Sequence, residues 1–437
     1  MSWHLALLVM MGLVLCGMAI GLPVAFAFLG ANLIGSFIFF GGITGLTTLV
    51  PEIVEATADF TFVPIPLFLL MGEILLQTGV AFRAIEAIDR LIARVPGRLP
   101  VVAIVGGTVF SSLSGSTVAN TAMLGSVMLP DMLRRGYSES IAMGPIMAVG
   151  GVAMLIPPSA LAVLLASLAN ISVSQLLIAG IVPGVLMSIF FTAYVIGRCA
   201  LIPGEAPRDD APSMRPGERV RPFLVYVLPL SGIFAVVVGT IFFGLASPSE
   251  AAALGCVAST IAAGAYRSLS RAALARALRE TGKVTTMILL IIAGSMTFSQ
   301  ILAVSGATDG LLATMNSFQM SPSSAVLMML AVLLFLGAFM DQVSMLLLTL
   351  PFFLPLSASL GIDMLWLGVL FLIAMEVSLL TPPFGLLLFV MRGVAPPGIG
   401  LEKVIRAAIP FVLIELAVMA LLFAIPALGT WLPNLVD

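Results

Sequence analysis

The feature that most limits what this chain can fold into is a set of apolar runs too long for a soluble core. Residues 5–20, 141–156, 228–245 and 407–425 are nearly free of charged side chains. Such runs predict helices that cross a bilayer, since about 20 apolar residues span its hydrocarbon. A β-barrel would instead show short alternating segments, and none is present. Only 9% of the 437 residues are charged, and the mean hydropathy is +1.20. The class is an all-α polytopic membrane protein. The first residues, MSWHLALLVMMGLVLCG, lack a basic leader and a small-residue cleavage site, so they are read as a retained first span. The longest polar stretch, PGEAPRDDAPSMRPGERVR at 203–221, is read as a solvated linker, and no extramembrane domain is expected.

Composition narrows the chemistry. A net charge of −2 gives no footprint for nucleic acid. Cys16, Cys199 and Cys256 lie far apart, and the single histidine is His4, near the terminus. This excludes a disulfide framework, a histidine-ligated transition-metal site and a histidine-based catalytic triad. No GxxxxGK[ST] loop is present, so nucleotide hydrolysis is not expected to supply the energy.

The chain repeats itself. LIPPS at 155–159 returns in LLTPPF at 379–384, placing Pro157 225 residues before Pro382. The same displacement carries Pro23 to Pro248, Gly30 to Gly255, Pro130 to Pro355 and Gly136 to Gly361. With a two-residue slip, Gly79 meets Gly306 and Pro183 meets Pro410. Residues 1–200 and 222–437 are therefore read as two copies of one unit, with 201–221 as a cytoplasmic linker.

Basic residues orient the copies. The first copy carries Arg83, Arg90, Arg94, Arg98, Arg134 and Arg135, where the second copy has no Lys or Arg. The second copy is basic from Arg267 to Lys283 and from Arg392 to Arg406, where the first copy has none. Basic loops stay in the cytoplasm, so the copies are expected to be inverted. Both termini then fall on the periplasmic side. Because 83–98 and 134–135 share a side, the segment between them (about 99–133) is expected to be a re-entrant hairpin with SSLSGSTVAN at its tip. The counterpart hairpin is about 326–358, with tip LGAFMDQVS at 336–344. Helices about 139–170 and 364–391 are broken at Pro157-Pro158 and Pro382-Pro383, because proline removes a backbone donor and disturbs the preceding turn. About ten spans plus the two hairpins result. The stretch 81–98 has apolar Ile85, Ile88, Leu91, Ile92 and Val95 at helical spacing and reads either as an interfacial helix or as a connecting helix.

Ionisable residues inside a membrane mark function by default. Asp341 is the strongest candidate, with Ser116 as its mate 225 residues earlier. Its bland alternative is a carboxylate that caps a half-helix. Glu376 is read equally as functional or as bonded to a nearby backbone group or hydroxyl. Glu73 and Glu415 are read as structural or interface residues, and Glu250 lies near a helix end. Ser111 and Ser112 suit close helix packing. Ser114, Ser116, Thr117 and Asn120 suit a hard cation, which takes oxygen ligands.

SGSTVANTAMLGSVMLPDMLRRGY (114–137), IPPSALAVLLASLANISVSQLLIAGIVPGVLM (156–187), SPSEAAALG (247–255), GAFMDQVSMLLLTLPFFLPL (337–356) and EVSLLTPPFGLLLFVMRGVAP (376–396) resemble the large membrane subunit of TRAP transporters, the DctM-like family. The resemblance spans nearly the whole chain. It implies an elevator-type transporter in the bacterial inner membrane that imports an organic acid with Na+ as coupling ion and no organic cofactor. It also implies two partners, a small membrane subunit on a separate chain and a periplasmic substrate-binding protein. Carried onto this sequence, a first sodium site would use Ser112, Ser114, Ser116, Gly151 and Pro157. A second would use Gly337, Asp341, Thr381 and Pro382. Substrate-binding candidates are Ser116, Thr117, Asn120, Asp341, Gln342 and Glu376. Two rivals are an ion-coupled carboxylate carrier that needs no binding protein and a channel. An enzyme is the weakest reading, since no nucleophile–base pair is present.

Overall fold

A computed structural model describes residues 1–92, 95–114, 116–207, 216–318 and 320–435. The described residues form helices and turns with no strand. By length and composition, six helices among the described residues can cross a membrane: Phe60–Gln77, Val173–Leu201, Val220–Phe242, Arg271–Val304, Gln342–Ser359 and Leu401–Ala424. Trp3–Ala19, Val24–Phe39, Glu139–Val152, Pro322–Gly337 and Met364–Leu380 are apolar but shorter.

Helices recur at the displacement seen in the sequence. Thr117–Arg134 corresponds to Gln342–Ser359, and Glu139–Val152 to Met364–Leu380. Their caps correspond as well. Ser138 accepts a hydrogen bond from the Ile141 N–H, and Asp363 accepts from the Leu365 and Trp366 N–H groups. Each side chain satisfies a donor that the first helical turn leaves open. Gly136 and Gly361, just before these caps, both have positive φ, at +88° and +63°. A glycine adopts this conformation without steric cost.

One element differs between the halves. Ile43–Thr57 and Pro64–Gln77 are separate helices, whereas their counterpart Arg271–Val304 runs unbroken for 34 residues. Pro64 and Pro66 lack the N–H that a continuing helix needs, so a new helix starts there. The second half has no proline between 271 and 304.

The halves interlock. Val24–Phe39 packs along Arg271–Val304, and its counterpart Pro248–Ala265 packs along Pro64–Gln77. Small residues allow the close approach. A Cβ on Gly294 would sit 2.8 Å from Phe28 Cβ, and the Asn32 side-chain amide donates to Gly294 O at 2.6 Å. In apolar surroundings such contacts supply the association that the hydrophobic effect does not. A second group comprises Arg98–Ser114, Thr117–Arg134, Glu139–Val152, Pro322–Gly337, Gln342–Ser359, Met364–Leu380 and Leu401–Ala424, which pack largely on one another.

The stretch 81–98 contributes the helix Val80–Leu91, which buries Val80, Ala81, Ala84, Ile85, Ala87 and Ile88. It packs on Arg98–Ser114 and on the segment 216–227, so it is a connecting helix with protein on its apolar side. Arg98, only 6% exposed, reaches Asp89 at 2.8 Å. Burial pushes the Asp89 carboxyl up, against the pull of the Arg98 guanidinium beside it.

Candidate functional site at the helix breaks and hairpin tips

The arms Pro322–Gly337 and Gln342–Ser359 meet at a short turn. Asp341 caps the second arm. Its Oδ1 accepts from the Val343 and Ser344 N–H groups at 3.1 Å, and its Oδ2 accepts from the Ser344 hydroxyl. The first arm ends on the buried Gly337, which lies against Ser378, where a Cβ would come 2.5 Å from Ser378 Oγ. Phe384 N–H donates to Ala338 O at 3.0 Å, joining the turn to the break that separates Met364–Leu380 from Leu386–Val394. Inside that break, a Cβ on Gly385 would sit 2.9 Å from both Leu379 O and Thr381 O. The glycine thus sits in a cradle of two carbonyl oxygens and the Leu388 Cδ1 methyl, 2.8 Å from the same point, and Thr381 O already accepts the Gly385 N–H at 3.0 Å. The Thr381 hydroxyl donates to Val377 O at 2.7 Å. Thr381 is half-buried, and Pro382 is exposed.

The first hairpin has the arms Arg98–Ser114 and Thr117–Arg134. Ser116 caps the second arm and accepts from the Ala119 N–H at 3.3 Å. The side chains of Ser111, Ser112 and Ser114 lie outside the described residues. The break between Glu139–Val152 and Ala160–Leu168 is buried, with Ala153, Met154, Leu155 and Ile156 at most 6% exposed. Gly151 and Pro157 are buried too. Both Pro-Pro peptide bonds are cis. The two centres adjoin, since the Gln342 amide donates to Met154 Sδ at 3.1 Å.

Of the six substrate candidates, Ser116, Asp341 and Gln342 are partly exposed, while Thr117, Asn120 and Glu376 are buried. Glu376 lies against Gly151, where a Cβ would come 2.5 Å from Oε1. Among the described residues, neither of its carboxyl oxygens has a hydrogen-bond partner. Glu73 accepts from Gln77, whose own amide oxygen accepts from Arg276, an interhelix role. Glu250 closes a capping box with Ser247 at the start of Pro248–Ala265. Gly385, Leu379, Ser378 and Met154 escaped the sequence reading. They contribute backbone, or touch residues far along the chain, and neither property has a sequence signal.

The donors gathered at the second tip and break are oxygens: carbonyls, hydroxyls and a carboxylate. Among the described residues, no group of three or more His, Cys, Asp or Glu side chains is placed to hold a metal ion. Oxygen donors of this kind are the ligands that hard cations take.

Residues 11–428 match the family described as the tripartite ATP-independent periplasmic transporter, DctM component. The chain belongs to that family. It is 32% identical over 390 residues to the C4-dicarboxylate TRAP transporter large permease protein DctM of Pseudomonas aeruginosa, covering 89% of each chain. It is 29% identical over 430 residues to the ectoine TRAP transporter large permease protein TeaC of Halomonas elongata, covering 98% of this chain and 97% of the relative. The crystal structure of the Alcanivorax borkumensis YdaH transporter has the same fold, with a TM-score of 0.59 over 90% of each chain at 16% identity. This DctM-family chain is thus a multi-pass membrane protein whose relatives carry the names of transporter permeases.

Proposed function

We propose that this chain is the large membrane subunit of a sodium-driven tripartite transporter that imports an organic acid delivered by a periplasmic binding protein. The observation that carries the reading is the junction of hairpin tip and helix break. Phe384 N–H on Ala338 O ties the two together beside the carbonyl cradle at Gly385. Irregular backbone at membrane depth persists only where protein buries it or a wet cavity lines it. Broken helices that present carbonyls there are cation sites of secondary transporters.

In this reading the second sodium site uses Gly337, Asp341, Thr381 and Pro382, with the Leu379 carbonyl added. The first uses Ser112, Ser114, Ser116, Gly151 and Pro157. Bound sodium supplies positive charge that favours an anionic substrate nearby. Ser116, Asp341 and Gln342 present surface to that substrate. The hairpins and broken helices, which pack on one another, move as an elevator against the helices of 3–77 and 228–304. The halves 1–200 and 222–437 are inverted, the linker 201–221 is cytoplasmic, and both termini are periplasmic. The membrane is the bacterial inner membrane, and a small membrane subunit braces the complex. The names of the relatives, which include C4-dicarboxylate and ectoine permeases, support a small polar cargo.

The test is uptake into proteoliposomes that hold this chain and its small subunit, with a sodium gradient imposed. Uptake that requires the cognate binding protein outside is the expected result. Equal uptake without it would establish a direct carboxylate carrier instead.

A further inference from the structure

The two halves match in their landmarks and caps but not in burial around their breaks. Pro157 and Pro158 are buried, whereas Pro382 and Pro383, their mates in the second half, are exposed. Three more pairs at the same displacement differ in the same direction. Phe110 is 3% exposed and Phe335 65%, Ser159 1% and Phe384 58%, Leu164 0% and Phe389 45%. At the second tip the exposed rings adjoin. The Phe339 ring lies 5.3 Å from that of Phe335 and 6.3 Å from that of Phe384.

Packing accounts for the difference. In the first half, the hairpin arm Arg98–Ser114 and the half-helix Ala160–Leu168 both pack on Pro64–Gln77. The half-helix also meets Phe60–Phe62, where the Ser167 hydroxyl donates to Thr61 O at 3.1 Å. In the second half, the arm Pro322–Gly337 packs chiefly on Met364–Leu380 and Gln342–Ser359. The half-helix Leu386–Val394 packs chiefly on Thr117–Arg134, Leu401–Ala424 and Met364–Leu380. Arg271–Val304, whose later part is the counterpart of Pro64–Gln77, keeps an open stripe. Met296, Gln300 and Ala303 are exposed there, and their i, i+4, i+7 spacing puts them on one side of the helix. With the two-residue slip, their mates are Leu69, Glu73 and Leu76, which are buried or half-buried.

We propose that the face formed by Phe335, Phe384 and Phe389 is the surface that docks on the Met296–Gln300–Ala303 stripe of Arg271–Val304 in a second end state. There Leu386–Val394 lies against Arg271–Val304 as Ala160–Leu168 now lies against Pro64–Gln77, and Ala160–Leu168 is released with loss of the Ser167–Thr61 bond. Inverted copies of one unit that exchange conformations carry a transporter from one end state to the other around a fixed site. A surface covered in one copy and open in the other marks what is exchanged. The exchange presupposes the elevator motion read above, and it fixes which surfaces part and which meet.

The test uses the full chain with its small subunit in proteoliposomes, with the photoreactive residue p-benzoylphenylalanine in place of the exposed Phe389. Under a sodium gradient with loaded binding protein outside, illumination is expected to join position 389 to a peptide from 271–304. Capture of lipid alone would overturn the inference. Thr61→Cys with Ser167→Cys, in a chain whose three native cysteines are replaced by serine, pins the first half-helix where it now lies. Its disulfide is expected to abolish both the capture and the uptake, and dithiothreitol is expected to restore both. Uptake undiminished by the disulfide would overturn the inference, since the half-helix then never leaves Phe60–Phe62. Uptake by the reduced chain that needs neither sodium nor the binding protein would remove the reading under Proposed function. Capture from 271–304 that the disulfide abolishes would still uphold the exchange in that case.

Discussion

Ser116 and Asp341 hold the same place in the two halves, each capping the second arm of a hairpin. The Ser116 hydroxyl accepts from the Ala119 N–H, and the Asp341 carboxylate accepts from the Val343 and Ser344 N–H groups and the Ser344 hydroxyl. The carboxylate thus has two roles to separate, capping and charge. Asp341→Asn keeps a capping oxygen and removes the charge. It is expected to leave the thermal unfolding midpoint near that of wild type and to lower sodium-driven uptake at least tenfold. Asp341→Ala is expected to lose uptake and also about 1 kcal/mol of stability, the usual worth of a cap. Unfolding and uptake measured on both variants check this, and equal uptake by Asp341→Asn and wild type would refute the charge role.

Gly385 and Gly337 make a second, steric prediction. A methyl group on Gly385 would meet two carbonyl oxygens, and one on Gly337 would meet Ser378. Each Gly→Ala change is expected to cost about 1–3 kcal/mol, as overpacking does. Gly385→Ala is also expected to raise the sodium concentration needed for half-maximal uptake. Gly232→Ala, with nothing within 4 Å, is the control and should be close to neutral. A sodium titration of uptake together with thermal unfolding decides it.

The legible part of this molecule was its punctuation. Proline and glycine act through local backbone geometry, so Pro157, Pro382, Gly136 and Gly361 could be read from the string and aligned between halves. The all-helical membrane class followed from apolar runs in the same way. The carbonyl cradle at Gly385 was not legible, because its oxygens belong to backbone that every sequence has. Gln342 meets Met154 across 188 residues, and nothing local to either announces it. Glu376 was weighed as hydrogen-bonded or functional. That its carboxyl oxygens find no partner among the described residues depends on three helices packing together, which lies beyond periodicity and spacing. The unbroken Arg271–Val304 helix was passed over, although the absence of proline opposite Pro64 and Pro66 was there to find.

Arg98 and Asp89 carry a pH prediction. Burial raises the Asp89 carboxyl above its ordinary value even beside Arg98. A carboxyl raised on folding adds stability that is present in acid and lost as pH rises through its folded value. Arg98→Ala removes the group that pulls Asp89 down, so stability should fall more steeply with rising pH than in wild type. The cost near neutral pH is expected to be on the order of 2 kcal/mol, below that of a fully buried pair because Asp89 retains some exposure. Thermal unfolding across the carboxylate range, wild type against variant, checks it. Parallel profiles would contradict the account.

Arg198 ties the segment after the helix Ile181–Leu201 back to the first half. It donates to Glu205 Oε1 at 2.6 and 3.0 Å, while Ser138 reaches Glu205 through both its hydroxyl and its N–H. Arg198→Ala leaves the Glu205 carboxylate with the Ser138 hydroxyl alone. A loss of about 1–3 kcal/mol and faster proteolytic separation of the two halves are expected. Limited proteolysis followed over time reads this directly.

The most direct test of the central claim, that sodium binding at the tips and breaks drives import, is a comparison of driving forces in one preparation. Proteoliposomes with this chain and its small subunit would receive the loaded binding protein outside, with either an inward sodium gradient or a proton gradient of equal magnitude. Accumulation under the sodium gradient, accompanied by sodium entry and absent under protons alone, is the predicted result. Equal accumulation driven by protons alone would contradict it.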